Sequence, residues 1–343
     1  MMFRIFYCSL LFFVFSCHAN HNQPIILRSF YYWKGVFHWN GVVQKNCDAL
    51  EINRLFLRFF EIRPNPMGLP AFSAPVKLDF AGMPADVAVV PTVFVFQSLF
   101  RKIDDEANQA LAKETAAYIY RQANGRFFSA VQIDCDWTQT SKAGYFTFLR
   151  HLKKALPTVQ ISATIRLHQI KYRSETGIPP VDRGMLMLYN LSDPTNYATA
   201  NSIFDAREAQ KYLRHQSPYP KPLDLALPLF SWGLLFRAGR FQGFLRDQNR
   251  QTLETLAFLA HTSQKNIYRV KVETVFQELY LRPGDRVRLE TVSFKDLEAA
   301  VDLAKGVFPP QDTLALAFFQ LDSITLASYS HEHLEKIFHR LHP

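Results

Sequence analysis

The chain has 343 residues, of which 48% are hydrophobic, 20% charged and 14% aromatic; this excludes a disordered or fibrous protein and allows two modest domains or one large α/β barrel. Lys and Arg number 39 against 30 Asp and Glu, a formal charge of +9. The basic residues are dispersed, with no run longer than Lys153-Lys154, so no nucleic-acid partner is indicated, while an anionic surface or ligand stays compatible.

The chain opens with Met1-Met2-Phe3-Arg4 and an apolar run from Ile5 to Phe15. The run is too short to span a bilayer, and residues 1–16 are read as an export signal. Val14-Phe15-Ser16-Cys17 resembles a bacterial lipobox, which makes Cys17 the expected lipidation site and only membrane anchor, although small residues are usual where Phe15 stands. A plainly cleaved signal is the alternative. The expected location is a lipoprotein of the bacterial envelope, otherwise periplasmic or secreted. Cys8 leaves with the signal, so Cys47 and Cys135 remain. An exported protein can pair two cysteines, but these fall near a first helix and inside a later strand, and unpaired packing residues are expected. Zinc-binding spacings are absent.

Residues 17–28 are read as a linker and 29–343 as the folded body. Strand-like runs are predicted near 30–34, 54–62, 92–97, 130–136, 159–168, 185–190, 224–232 and 314–322. Most intervals carry an amphipathic helix. One covers 104–122 and is stopped by Asn124-Gly125; another covers 141–156, with Tyr145, Phe148, Leu149 and Leu152 on one face. Eight strands alternating with helices imply an α/β fold with a parallel sheet, and eight is the number that closes a (β/α)8 TIM barrel. A doubly wound open sheet is the alternative, but no GxGxxG follows the first strand. The longest interval separates strands seven and eight. Within it, 267–280 and 286–293 read as strands joined by Arg282-Pro283-Gly284-Asp285, and 294–307 as the seventh helix. Residues 233–293 are therefore expected to form a small inserted α+β subdomain on the upper rim.

Barrel enzymes build their sites at the C-terminal strand ends. In the fourth strand, alternation puts Gln132, Asp134, Asp136 and Thr138 on one face and Val131, Ile133 and Cys135 on the other. The polar set should point inward. Two carboxylates two residues apart do not both ionise easily, so one pKa should rise, as acid–base chemistry needs. A buried pair neutralised by a cation is the structural alternative. The fifth strand offers that cation, Arg166, with His168 expected nearer the mouth.

These segments resemble the family 18 glycoside hydrolases, the chitinase-like barrels, whose catalytic strand reads DxxDxDxE. Asp134 and Asp136 match the second and third acidic positions; Val131 and Thr138 occupy the others. Met187-Leu188-Tyr189-Asn190 is similar to that family's MxYD segment, and Leu225 to Phe230 to its LGLPxYG strand. The resemblance runs from about residue 130 onward, and the first three strands carry no comparable match. The segments CDWT, TIRLHQ and PPVDRGMLMLYN also resemble a group of exported bacterial barrel proteins with no assigned activity.

The resemblance implies a glycan substrate. It also implies a glutamate that protonates the glycosidic oxygen while the substrate's acetamido oxygen attacks, so that no second carboxylate is required. Thr138 cannot supply that proton. Asp136, Glu61 at the end of strand two and Asp322 at the end of strand eight are the substitutes considered. Glu61 follows Phe59-Phe60, an apolar setting that would raise its pKa if buried; exposure and pairing with Arg63 is the alternative.

Trp33, Trp137, Tyr189 and Trp232 fall near strand ends, where flat rings suit sugar faces, although strand aromatics usually pack the core. Parity sets Trp137 among the helix-facing residues and leaves Tyr189 and Trp232. The expected site is thus Asp134, Asp136 and Glu61 for acid–base chemistry, with Arg166, His168, Tyr189, Asn190, Trp232 and Asp322 contacting a glycan. No metal or cofactor is expected: His331-Glu332-His333-Leu334-Glu335 is not HExxH, and GxSxG and P-loop motifs are absent. An exported glycosidase acting on a polysaccharide or amino-sugar glycan, a non-catalytic glycan-binding lipoprotein and a structural envelope protein are the readings that remain.

Overall fold

The computed structural model describes residues 23–322 and 326–341. The expected signal and its Cys8 and Cys17 lie outside them. Eight parallel strands form a closed barrel: β1 (Ile25–Tyr32), β2 (Arg54–Pro64), β3 (Ala88–Val95), β4 (Ala130–Asp134), β5 (Gln160–Arg166), β6 (Arg183–Met187), β7 (Leu223–Pro228) and β8 (Thr313–Phe319). Closure falls on β1, which pairs with β8 from Ile25↔Thr313 to Tyr31↔Phe319 and with β2 from Ser29↔Arg54 to Tyr32↔Leu57. The strands are apolar on both faces because helices cover one side and the barrel interior the other; all six residues of β7 are buried.

The helices include α1 (Gly41–Ala49), α2 (Asp105–Ala123), α3 (Lys142–Ala155), α4 (Leu167–Lys171), α5 (Ala206–Leu213), α6 (Phe294–Lys305) and α7 (His331–Arg340); single turns also occur at Arg173–Thr176 and Arg250–Glu254. The Asp104 carboxylate caps α2 by accepting from the Ala107 amide, and Asn124 ends it with φ of 46°. α3 buries Tyr145, Phe148, Leu149 and Leu152, the face that the spacing predicts. No helix separates β2 from β3. Pro64, Pro66, Pro70, Pro75 and Pro84 deny that interval its helical hydrogen bonds, and the chain folds back as a strand, Pro70–Ser73, antiparallel to β2.

Several strand limits differ from those expected. β1 starts at Ile25, inside the stretch read as linker, because Arg28 interrupts an apolar run yet is satisfied by Glu335 at 2.6 Å and by the Leu50 carbonyl. β5, β6 and β7 end early, at Arg166, Met187 and Pro228. His168 therefore lies in α4, Tyr189 and Asn190 in a loop, and Trp232 in the insertion. Cys47 and Cys135 are buried and unpaired.

Between β7 and α6 the chain builds a five-stranded antiparallel sheet in the order 240–246, 232–237, 286–290, 267–270, 259–261. Leu235, Leu245, Leu253, Tyr268, Val287 and Leu289 form its own core. The single strand expected over 267–280 is three short ones, because Gln277 and Glu278 take positive φ and turn a hairpin between Thr274–Phe276 and Leu279–Leu281.

At the N-terminal end of the barrel, the Arg183 guanidinium donates to both Asp224 oxygens, at 3.0 and 2.6 Å, and to the Thr313 carbonyl at 2.8 Å. Asp224 also accepts from the Ala315 amide at 2.7 Å. This buried pair joins β6, β7 and β8. Asp224→Ala strands a buried guanidinium and should cost about 3–5 kcal/mol in urea unfolding, whereas replacing both partners by apolar residues should cost less. A single variant no less stable than the double would contradict this role.

Candidate functional site

The inward face of β4 carries Gln132 and Asp134. The Tyr31 hydroxyl donates to Gln132 Oε1 at 2.6 Å, and the Thr164 hydroxyl on β5 donates to Asp134 Oδ1 at 2.7 Å. Burial, and then the nearby Asp136 charge, raise the Asp134 pKa to about 7 against the opposing effects of Thr164 and Arg166. The expectation that one carboxyl of the pair titrates high holds, and Asp134 is that carboxyl.

Asp136 does not share the strand. β4 stops at Asp134, and the Trp137 amide donates to the Cys135 carbonyl at 2.9 Å, so strand alternation cannot be extended to residues 136 and 138. Asp136 is exposed, with Oδ1 3.6 Å from Arg166 Nε. Arg166 also donates to the Asn190 carbonyl at 3.1 Å. Thr138 sits on an exposed turn, its hydroxyl 3.0 Å from that of Thr140. Trp137 faces the helices, as parity predicts: it is buried, its indole donates to the Thr176 carbonyl at 3.0 Å, and it stacks on Tyr145.

His168 is on α4, not at a strand tip, and shares a small hollow with Arg166, Tyr189 and Asn190. Partial desolvation, then the Arg166 charge, lower its pKa and favour the neutral ring. Glu61 is not the free acid expected; the alternative pairing with Arg63 holds, but the side chain is not exposed. Its side chain is 13% exposed, one oxygen accepts from Arg58 at 2.7 Å, and the other accepts from Arg63. Asp322 is buried after β8, where the Gln320 amide donates to it at 3.2 Å. It faces a pocket beside Tyr32, Asn40 and Val43, apart from the other candidates.

The main cavity, about 770 Å³, lies between the barrel mouth and the inserted sheet. Tyr189, Asn190, Trp232 and Glu61 line it; Asp134 and Asp136 are not in its wall. A chain of touching rings forms its floor: Trp33 to Phe319 with centroids 5.9 Å apart, Phe319 to Phe230 at 5.7 Å, Phe230 to Trp232 at 5.1 Å, and Trp232 to Phe244 at 4.8 Å. Tyr189 joins at Phe319, 5.3 Å away. The sequence reading overlooked Phe230, Phe244, Phe319, Arg58 and Arg246. Position just at or beyond a strand's last residue, shared by Trp33, Tyr189, Phe230 and Phe319, is the signal that could have found most of the rings.

Trp232 is held from behind. Its indole donates to Glu290 Oε2 at 2.8 Å, and Arg288 donates to Glu290 Oε1 at 2.9 Å. Arg288 also donates to the carbonyls of Pro194, Asn196 and Tyr197. Glu290 and Arg288 are both buried, so the β6–α5 loop, the inserted sheet and the Trp232 ring are positioned by one charge-paired network. Among the described residues, no cluster of His, Cys, Asp and Glu has the makings of a metal site.

The raised Asp134 pKa has a consequence for stability. The native state holds this proton more tightly than the unfolded chain does, so stability should fall as pH rises from about 4 to about 7. Asp134→Asn should flatten that dependence and gain about 1–3 kcal/mol above pH 7. Denaturant unfolding from pH 4 to 8 tests this, and parallel curves for the two proteins would refute it.

No protein-family model and no curated protein sequence matches the chain. Solved structures do. The chain is similar to a chitinase from Chromobacterium violaceum at 12% identity, with 89% of this chain and 98% of that one covered and a TM-score of 0.52. It is similar to a chitinase from Bacteroides thetaiotaomicron at 10% identity, with 86% and 89% covered and a TM-score of 0.54. It is also similar to the spore cortex-lytic enzyme of Bacillus cereus at 12% identity, with 94% and 75% covered and a TM-score of 0.53. The likeness is one of fold, a (β/α)8 TIM barrel.

Proposed function

We propose that the protein binds a glycan in the cleft between the barrel mouth and the inserted sheet. The observation that carries this reading is the ring floor from Trp33 through Phe319 and Phe230 to Trp232 and Phe244. Sugar rings have apolar C–H faces, and preformed aromatic platforms bind them with little loss of conformational freedom. Trp232 is fixed by its hydrogen bond to buried Glu290, which orders its ring in advance of any ligand. The structural neighbours include chitinases and a cortex-lytic enzyme, which supports the same ligand class.

A second reading, hydrolysis, rests on Asp134. An acid with a pKa of about 7 can donate a proton near neutrality, as a general acid must, but Asp134 lies outside the cavity wall, so this reading requires the bound sugar to reach past the ring floor. With an acetamido sugar as its own nucleophile, one acid suffices. Glu61 is poorly suited to that part, because Arg58 and Arg63 occupy both of its oxygens.

Calorimetric titration of the purified chain with chito-oligosaccharides, alongside a reducing-end assay, tests both readings. Trp232→Ala should weaken binding about tenfold or more, and any cleavage should disappear in Asp134→Asn. Binding without cleavage would leave a glycan-binding barrel, and no binding across a glycan panel would end the proposal.

The proposal includes export, with Cys17 as lipid acceptor, on the strength of the leader and the Val14-Phe15-Ser16-Cys17 segment. Cys17→Ala should move the protein from the membrane to the soluble fraction on cell fractionation. An unchanged distribution would remove the lipid anchor from the account.

A further inference from the structure

We infer that the glycan taken by this cleft is acidic, carrying carboxylates along its length. The inference rests on the glycan-binding reading and specifies its ligand. Neutral sugars need aromatic faces and neutral hydrogen-bonding groups, whereas this cleft adds cations at both ends of the ring floor. At the barrel end, Lys34 directly follows Trp33, and the Arg58 guanidinium lies 6.0 Å from the Trp33 ring centre. At the insertion end, Arg246 stands opposite Trp232 in the antiparallel pair of strands 232–237 and 240–246.

The acidic residues do not cancel these charges. Glu61 is shared between Arg58 and Arg63, so that cluster keeps a net positive charge. Asp247 is the other carboxylate in the wall, and neither Lys34 nor Arg246 forms an ion pair with it among the described residues. The nearest carboxylate oxygen to Lys34, on Asp322, is 3.9 Å from Nζ, a loose contact. No ion pair or side-chain hydrogen bond of Arg246 occurs among the described residues. Arg58 also keeps a buried Nε donor that no protein atom accepts from.

Exposed cations held by a loose ion pair, as Lys34 is, or by none, as Arg246 is, gain little within the protein. Beside an aromatic platform they suit a ligand that offers both ring faces and carboxylates, since guanidinium groups bind carboxylates through paired, charge-assisted hydrogen bonds. The spacing of cations at the two ends of the floor suits a chain with repeated carboxylates better than a single charged end. The excess of basic residues in the whole chain, 39 against 30, adds a favourable long-range field for such a polyanion.

The test compares hyaluronan oligosaccharides, which alternate a uronic acid with an acetamido sugar, with chito-oligosaccharides of equal length. Calorimetric titrations of the purified chain at low and raised ionic strength should show the carboxylated chain binding about tenfold or more tightly at low salt, with the advantage shrinking as salt rises. Lys34→Gln with Arg246→Gln should bring it down to the affinity of the neutral oligosaccharide. Both side chains are exposed, so the fold should be unaffected, and an unchanged unfolding midpoint verifies this. Equal, salt-insensitive affinities for the two oligosaccharides would overturn the acidic preference and leave the glycan reading intact. Binding of neither would overturn both.

Discussion

A parallel sheet has to bury the backbone groups of every strand, and the simultaneous pairing of β1 with β8 and with β2 meets that constraint here by closing the barrel. Closure gathers the C-terminal ends of all eight strands into one ring. Trp33, Glu61, Asp134, Arg166, Tyr189, Phe230 and Phe319, spread over almost the whole chain, become near neighbours for that reason. At the opposite end, the bidentate Arg183–Asp224 pair and its bonds to β8 lock three strands in register. The mouth carries the exposed polar and aromatic side chains while the base is tied by a desolvated ion pair, a division of labour common to barrels.

The cleft belongs jointly to the barrel and the insertion. Barrel residues supply Trp33, Tyr189, Phe230 and Phe319, and the inserted sheet supplies Trp232, Phe244 and Arg246. Relative motion of the two parts would break the ring floor, so their joint matters. Glu290 and Arg288, buried where the inserted sheet meets the β6–α5 loop, tie Trp232 to carbonyls of that loop. The carboxylate accepts from Ser202 and Trp232 as well as from Arg288, so its charge is paired and its lone pairs are used, which makes burial tolerable.

Within β4 and β5, one physical rule explains both what was anticipated and what was not. Period-two alternation correctly turned Gln132 and Asp134 inward, and one carboxyl of the pair does titrate high, though burial more than the neighbouring carboxylate is the cause. The rule fails where the strand stops. Asp136, Thr138 and His168 were assigned places by extending alternation beyond the last ladder hydrogen bond, and each lies in a loop or a short helix instead. Glu61 was misjudged for another reason: Arg58, three residues before it on the same strand, reaches its free oxygen, and side-chain reach is invisible to parity. The rings at Phe230, Phe244 and Phe319 were overlooked among 31 Phe residues because sequence alone does not distinguish a packed ring from one at a cavity wall.

Apolar runs separated by helix signals pointed by themselves to eight parallel strands and an extra segment after the seventh, because hydrophobic periodicity and capping are local properties of the chain; they favoured a closed barrel over an open sheet, and the pairing of β1 with both β8 and β2 decided it. They also marked Asp134, Arg166, Tyr189 and Trp232 as residues at one end of that barrel. Only tertiary structure decided which carboxyl is protonated near neutrality, which is held between arginines and which rings share a floor. Those outcomes depend on desolvation and on distances between residues far apart in sequence, quantities that exist only once the barrel has closed and the inserted sheet has settled over its mouth.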